Sequence, residues 1–248
     1  MSSDFPRPIL AVHQPNYAPW LGWFVKAAVA DAMVLLDDAQ FPKASWVNRT
    51  RVLGPAGPEY LTIPVKHPGR IPIRAVRISD PEWRAKHLRK LQALYAKSPG
   101  LALADGVLAA AGLEGVEPLS EANEVVLRRL LGALGIERDL VRSSSLGVAA
   151  GDPTERHLAL CGAVGAKSYL SGQGAQAYND PARFAAAGIA LAYLSFDHPV
   201  YPQAGGEFVP GLSAFDFLCR TGAQARDLMG RAVASARLSA TPGAAPSG

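Results

Sequence analysis

The chain has 248 residues, a hydrophobic fraction of 49%, a charged fraction of 19% and a formal net charge of +4. These values are typical of one large α/β domain with a sizeable core, and they exclude a highly charged disordered chain. No segment approaches the roughly 18 consecutive apolar residues of a membrane-spanning helix. The N-terminus lacks the order of a signal peptide, and Cys161 and Cys219 lie in apolar helical patterns. We therefore expect free thiols and a cytoplasmic location.

The N-terminal segment has a βαβ pattern. An apolar run at 9–12 predicts a buried strand, a helical pattern begins near Pro19, and a second apolar run at 32–36 predicts the next strand. Ligands of open α/β sheets bind outside the carboxyl ends of the strands. The polar residues that follow each of these two strands are therefore expected to open onto one crevice.

The loop after the first strand supplies the first candidate catalytic residue. His13 lies between a strand and a helix start, where an imidazole can donate to a phosphate oxygen or act as a general acid. The alternative is a structural histidine that caps the turn. Gln14, Asn16 and Tyr17 share the loop and are candidate substrate-binding residues.

The second strand ends in Asp37 and Asp38, which are also catalytic candidates. Adjacent side chains of a strand point to opposite faces, so we expect one of the two to enter the site. Its role is open between a general base, a Mg²⁺ ligand and a hydrogen-bond acceptor from a sugar or an amine. The alternative is a turn acid that caps the next segment.

A polar loop follows the aspartates. An exposed Trp between Lys and Arg suits a sugar or base stacked beside a phosphate, whereas a core tryptophan with solvated neighbours is the alternative. The candidate binding residues of this loop are Gln40, Lys43, Trp46, Asn48 and Arg49.

Short strands with Gly/Pro turns then predict an antiparallel hairpin or meander inserted at about 48–78, with strands at 49–53, 60–65 and 73–78. Between Lys43 and Lys90, eleven basic residues face three acidic ones, a balance of +8 that leaves the rest of the chain at about −4. This charge favours a phosphate-bearing small molecule. The segment contains no recognisable nucleic-acid-binding module, so no nucleic-acid partner is expected.

Helices dominate the following part of the chain. Asp80-Pro81 predicts a helix to about residue 97, and 101–135 is typical of two Ala/Leu-rich helices. Asp152 and Asp180 precede two further helices, with strands at 167–170 and 189–194, and Ser213 caps the last helical region. These patterns predict a βαβ-type sheet with helices on both faces, in a single α/β domain at 1–235 and a disordered tail at 236–248.

Two later loops complete the set of candidate residues. Ser171, Gly172 and Gly174 follow a strand, where glycines permit close approach of backbone to ligand. The spacing matches neither a P-loop nor a nucleophile elbow. His198 also follows a strand and is the last catalytic candidate, with a structural histidine as the alternative; Tyr201 and Gln203 are nearby binding candidates. No spacing of zinc ligands is present, so no metal site is predicted.

Several sequence blocks are similar to those of the WbqC-like proteins, and the similarity runs from about residue 8 to about 230. The blocks are His13-Gln-Pro-Asn-Tyr17, Pro19-Trp-Leu-Gly22, Asp37-Asp-Ala-Gln-Phe41, Trp46-Val-Asn-Arg49, Tyr169-Leu-Ser-Gly-Gln-Gly-Ala175 and Phe196-Asp-His-Pro-Val-Tyr-Pro-Gln203. The resemblance implies a role in bacterial gene clusters for surface polysaccharides, including O-antigens, or for secondary metabolites.

Three functions remain open at this point. The first is a transferase that modifies an activated amino sugar or related metabolite, for example by acyl or glycyl transfer. The second is an ATP-dependent enzyme, because the topology resembles that of nucleotidylyltransferases, although His13, Pro15 and Asn16 replace their His-x-Gly-His pattern. The third is a non-catalytic subunit of a glycan-assembly complex. The sequence identifies no cofactor; ATP or a nucleotide-sugar with Mg²⁺ are the candidates, and homo-oligomerisation stays open.

Overall fold

The secondary structure comes from a computed structural model that describes residues 5–42, 45–66, 69–109, 118–149, 151–174, 179–204 and 206–240. The strands are β1 (Ile9–His13), β2 (Ala32–Leu35), β3 (Arg49–Gly54), β4 (Gly57–Thr62), β5 (Val65–Lys66), β6 (Arg77–Ile78), β7 (Leu140–Arg142), β8 (Ser168–Ser171), β9 (Ala190–Ser195) and β10 (Arg237–Ser239). The helices are α1 (Leu21–Val29), α2 (Trp83–Tyr95), α3 (Leu101–Ala109), α4 (Leu119–Ala133), α5 (Pro153–Val164), α6 (Pro181–Ala186), α7 (Ala214–Thr221) and α8 (Ala225–Ala234).

The main sheet of the described residues has the order β10-β9-β8-β1-β2-β7. Its members are parallel except β10, which pairs antiparallel with β9. Numbered by their appearance along the chain, the six strands lie in the order 3-2-1-4-5-6. This is a doubly wound sheet, and its topological switch point lies between β1 and β8.

Helices cover both faces of this sheet, as predicted. Leu10 and Val12 of β1 pack in one apolar cluster with Leu160 of α5 and Phe184 of α6. The opposite face contributes to a larger cluster that includes Phe24 of α1. The apolar runs of β1 and β2 are therefore explained by burial on both sides, as in other parallel sheets.

The predicted starts of α5, α6 and α7 are formed by the expected caps. The start predicted at Asp80-Pro81 is wrong, because α2 begins at Trp83 and has no side-chain cap. The Asp152 carboxylate accepts from the Glu155 amide at 3.0 Å, and the Asp180 carboxylate accepts from the Ala182 amide at 3.0 Å. Ser213 Oγ accepts from the Phe215 amide at 3.1 Å. A side-chain oxygen at each of these positions satisfies an amide that the helix leaves without a partner.

The predicted insertion consists of two small antiparallel pairs, β3–β4 and β5–β6. The third strand, predicted at 73–78, is shorter than expected: a 3-10 turn occupies Ile73–Ala75, and only β6 is extended. The turn is held by the loop after β2, because the Arg74 amide donates to the Asp37 carbonyl at 2.7 Å. The insertion is thereby attached to the carboxyl end of the main sheet.

Two strands of the main sheet lie where the sequence predicted none. β7 has three residues, too few to give a periodic pattern, and it pairs in parallel with β2. Residues 237–239, predicted to belong to the disordered tail, form β10, whereas 241–248 lie outside the described residues. Among the described residues, no helix is long and apolar enough to cross a membrane.

Candidate functional site

Polar residues gather at the carboxyl edge of the main sheet. His13 ends β1, Asp37 and Asp38 follow β2, and Ser171 ends β8. His198 follows β9 by three residues. Because these strands are parallel, their carboxyl ends meet along one edge, and His13 and Ser171 flank the switch point.

His13 is partly buried, and its tautomer follows from one contact. Its Nδ1 lies 3.2 Å from the Gln14 carbonyl oxygen. A carbonyl can only accept, so Nδ1 carries the proton and Nε2 presents a lone pair. Burial, with the nearby Lys26 charge acting in the same direction, lowers the pKa of His13 to about 4. The imidazole is therefore neutral at pH 7 and carries its free lone pair on Nε2.

Both aspartates bind other parts of the chain, Asp37 through both carboxylate oxygens and Asp38 through one. The buried Asp37 carboxylate accepts from Ser143 Oγ at 3.1 Å, Ser144 Oγ at 2.6 Å and the Ser144 amide at 2.9 Å. The Asp38 carboxylate accepts from Ser143 Oγ and forms an ion pair with Arg156. These contacts join the end of β2 to the end of β7 and to α5. Asp38 is the more exposed of the two and the better placed to meet a ligand.

Trp46 is 46% exposed and belongs to an aromatic and arginine surface on the insertion. We call this the Trp46 surface; its members are Trp46, Arg49, Arg51 and Tyr60. The Arg49 guanidinium lies 4.5 Å from the Tyr60 ring centroid, and that of Arg51 lies 5.6 Å from the Trp46 ring. Neither arginine forms an ion pair within the described residues, so the surface combines two uncompensated cations with two flat rings.

Hydrogen bonds attach the Trp46 surface to the loop that carries His13. The Tyr17 amide donates to the Trp46 carbonyl at 2.9 Å. From α4, the buried Asn123 side chain donates to the carbonyls of Pro15 and Val47 at 2.7 and 2.6 Å. The insertion and the His13 loop therefore form one supported unit beside the sheet edge.

His198 lies in an aromatic cluster. Its ring is parallel to that of Trp20, with centroids 6.2 Å apart, and Phe196 and Phe208 lie nearby. Its Nδ1 donates to the Pro199 carbonyl at 3.0 Å, which leaves Nε2 buried without a partner. Burial lowers the pKa of this imidazole. Trp20 is 38% exposed, so part of the cluster lies at the surface.

Several of the predicted binding residues make internal hydrogen bonds. Tyr201 donates to Asp216 at 2.8 Å, Asn48 donates to the Ile63 carbonyl, and the Gln203 amide pairs with the backbone of Val209. Ser171 Oγ accepts from Asn179 and donates to the Gly172 carbonyl. Asn16 is buried with Oδ1 unpartnered, Gln14 is half-buried, and Gln40 is exposed.

The glycine loop after β8 is open. No described atom lies within 4 Å of the position that a Cβ would take at Gly172 or Gly174.

Lys43 lies outside the described residues, so its predicted role stays a prediction. Within the described ranges, no group of three or more His, Cys, Asp or Glu side chains could hold a metal ion.

Tyr17 lies in the core rather than on the surface of the loop. Its hydroxyl donates to His87 Nδ1 at 2.8 Å, while His87 Nε2 donates to the Thr62 carbonyl at 3.1 Å. His87 is 6% exposed, and burial lowers its pKa from 6.5 to about 4. His87 therefore fixes the Tyr17 end of the loop.

The neutral His87 should make the protein sensitive to acid. The unfolded chain takes up a proton below about pH 6.5 and the folded protein only near 4, so stability is lost as the pH falls through that window. At pH 5 this residue alone should cost about 2 kcal/mol. His87→Gln keeps a donor and an acceptor without titrating. Urea unfolding at pH 7 and 5 should show a smaller acid loss in the variant, and equal losses would contradict this assignment.

Sequence reasoning missed Lys26, His157, Asn179 and Arg156 near the sheet edge. Lys26 had a recognisable signal, since it is the single charged residue of α1, whose other members are apolar or glycine. His157 and Asn179 had none, because their position depends on how α5 and the segment before α6 pack against β8.

The order of strands and the residues at their ends define a doubly wound α/β protein. The chain matches the model of the WbqC-like protein family over residues 14–228, and it belongs to that family. It is also 34% identical over 224 residues to the uncharacterized protein Rv1507c of Mycobacterium tuberculosis (strain ATCC 25618 / H37Rv). The match covers 89% of this chain and 96% of that protein. No solved structure matches the chain.

Proposed function

We propose that this protein is a transferase that binds a phosphate-bearing donor, a nucleotide or nucleotide-sugar, at the switch point between β1 and β8. The acceptor would be the amine or hydroxyl of an activated sugar or related metabolite in surface-glycan or natural-product biosynthesis. The observation that carries this proposal is His13, a neutral imidazole with Nε2 available at the switch point of a doubly wound sheet.

His13 is suited to the role of general base. Its Nδ1–H is directed to the Gln14 carbonyl, which orients the ring and presents the Nε2 lone pair. An acceptor N–H or O–H can pass its proton to Nε2 while its nitrogen or oxygen forms the new bond to the transferred group. The bond from that group to the donor's phosphate breaks in the same step, and the phosphate leaves with the electron pair. Asp37 is less suited to this role, because both of its oxygens accept hydrogen bonds from the Ser143–Ser145 turn.

The Trp46 surface supports a donor that combines a flat ring with negative charge. An aromatic face can stack on a base or a sugar, and a guanidinium can form paired hydrogen bonds to phosphate. Its attachment to the His13 loop keeps such a ligand close to the sheet edge. The partly exposed aromatic cluster around Trp20 and His198 is a candidate contact surface for the acceptor.

The strand order also favours a second candidate, ATP-dependent nucleotidyl transfer. Mononucleotide-binding folds share the 3-2-1-4-5 order of parallel strands. The replacement of the His-x-Gly-His pattern by His13, Pro15 and Asn16 counts against that chemistry. The two candidate functions predict different ligands: nucleotidyl transfer predicts that ATP binds more tightly, and the first proposal predicts that a nucleotide-sugar does.

Titration calorimetry with ATP, nucleotide-sugars and acyl-CoA, with and without Mg²⁺, tests the proposal. We expect a nucleotide-sugar to bind, and Trp46→Ala to weaken binding by about 1–3 kcal/mol through loss of stacking. Leu103→Ala, which truncates an exposed apolar side chain on α3, is the matched control. Absence of binding by every nucleotide and nucleotide-sugar to the folded protein would refute a phosphate-bearing nucleotide donor.

A further inference from the structure

Lys26 is a buried cation without an acidic partner. It is 6% exposed, and its ammonium donates to the Val12 carbonyl at 2.9 Å. No Asp or Glu of the described residues forms an ion pair with it. Burial lowers the pKa of Lys26 to about 8, which leaves it mostly protonated at pH 7. A buried charge is costly unless it is paired, so this one needs an explanation.

The ammonium lies where β1 and β8 separate. The His13 carbonyl accepts from the Leu36 amide on the β2 side. Successive carbonyls of a strand point in opposite directions, so the Val12 carbonyl faces β8. Pairing between β1 and β8 ends one residue earlier, at Ala11 and Leu170. Lys26 therefore occupies the gap between the two strand ends, which is the switch point itself.

Polar groups from the other face of the sheet reach the same gap. His157 of α5 stacks on the Tyr169 ring with centroids 4.6 Å apart, and the Lys26 charge helps to lower its pKa to about 4, after burial. The Lys26 charge acts on His13 in the same way. Because Ala11 pairs with Leu170, Val12 and Ser171 are the next residues on the two strands. The Lys26 ammonium on the Val12 carbonyl and the Asn179 side chain on Ser171 Oγ therefore lie at the same end of the gap.

His157 Nδ1 and Asn179 Oδ1 are buried without a well-formed hydrogen bond, although Asn179 lies close enough to His157 to oppose the lowering of its pKa. Asn179 Nδ2 donates to Ser171 Oγ at 2.8 Å. If the amide turns over, Ser171 can donate to Oδ1, and Nδ2 becomes free to donate to a ligand. The gap then has donors from α1, α5 and the segment after β8, and the described part of it carries no carboxylate.

We propose that Lys26, His157 and Asn179 form a subsite for one phosphoryl group at the end of the gap between β1 and β8. Donors from three separate elements suit a tetrahedral group with three outward oxygens better than a planar carboxylate with two. No described atom lies within 4 Å of the position that a Cβ would take at Gly172, so a ligand can approach the backbone closely there. This subsite deepens the proposed function and rests on it, since it would hold the phosphate of the donor beside His13.

Calorimetric titration of the full chain with pyrophosphate and orthophosphate tests the subsite. We expect wild type to bind pyrophosphate, and Lys26→Met to bind it on the order of 10- to 100-fold more weakly, the loss of a hydrogen bond to a charged group. Lys86→Met is the matched control, because it removes the same charge from an exposed, ion-paired position on α2. It should bind like wild type.

A second measurement uses wild type alone and so does not depend on how the variants fold. In protein carrying ¹⁵N-labelled lysine side chains, pyrophosphate should shift the Lys26 ammonium resonance and leave that of Lys86 unchanged. Equal pyrophosphate affinity in wild type and Lys26→Met, an unshifted Lys26 resonance, or no binding by wild type would each overturn the subsite.

The two proposals can fail separately. Pyrophosphate binding that depends on Lys26, without binding of any nucleotide or nucleotide-sugar, would keep the subsite and refute the nucleotide donor. Nucleotide-sugar binding that is unchanged in Lys26→Met would keep the donor and refute the subsite.

Discussion

Replacing Asp216 with alanine is expected to lower the free energy of unfolding by about 3–5 kcal/mol, because it leaves several buried donors without an acceptor. Asp216 is completely buried on α7. Its carboxylate accepts from Tyr95 of α2 at 2.5 Å, from Tyr201 at 2.8 Å and from the Leu53 amide of β3 at 3.2 Å. One side chain therefore joins the insertion, two helices and the loop that follows His198.

Urea unfolding followed by circular dichroism measures this effect. Asp227→Ala, at an exposed position of α8, removes the same group without buried partners and should change stability by less than about 0.5 kcal/mol. Asp216→Asn keeps one oxygen acceptor and should fall between the two. If Asp216→Ala lowers the free energy of unfolding no more than the control does, the hydrogen bonds around Asp216 make no net contribution to stability.

The second large effect concerns catalysis. Removing a general base typically costs 10²- to 10⁴-fold in rate, so His13→Ala should lower kcat/KM by about that factor once the acceptor is identified. His13→Gln retains a donor for the Gln14 carbonyl but has no basic nitrogen, so it should be equally impaired. Added imidazole should restore part of the activity of His13→Ala by occupying the vacated space. Full activity in His13→Gln would assign His13 a structural role.

The pH profile gives an independent check on His13. Because burial lowers its pKa to about 4, the base stays unprotonated at pH 5 and loses function only as the pH falls toward 4. An acidic limb near the ordinary value of 6.5 would indicate that another, less buried group takes the proton. The pH profile should be recorded only where unfolding experiments show that the protein is folded. This limit matters because protonation of His87 in the unfolded chain lowers the stability of the protein below about pH 6.5.

Local signals in the sequence were sufficient to predict most of the secondary structure and the positions of several candidate residues at strand ends. The apolar runs of β1 and β2, the cap residues Asp152 and Asp180, and the glycine-rich turns act on their near neighbours along the chain. Such interactions span only a few residues along the chain, so they can be predicted from the hydrophobic periodicity and the capping residues. They placed His13 and Asp37 at strand ends and hence near one edge.

Tertiary structure decided what each of these side chains can do. The oxygens of Asp37 are occupied by serines about a hundred residues later, and the Tyr17 hydroxyl by His87. Lys26 acquires its position only because β8 lies beside β1 and their ends diverge there. β7 and β10, three residues each, are strands because neighbouring strands supply hydrogen-bond partners. The sequence by itself determined most of the helices and strands, and the family. Packing between distant elements determined which polar groups remain available for chemistry, because that depends on partners that no local pattern encodes.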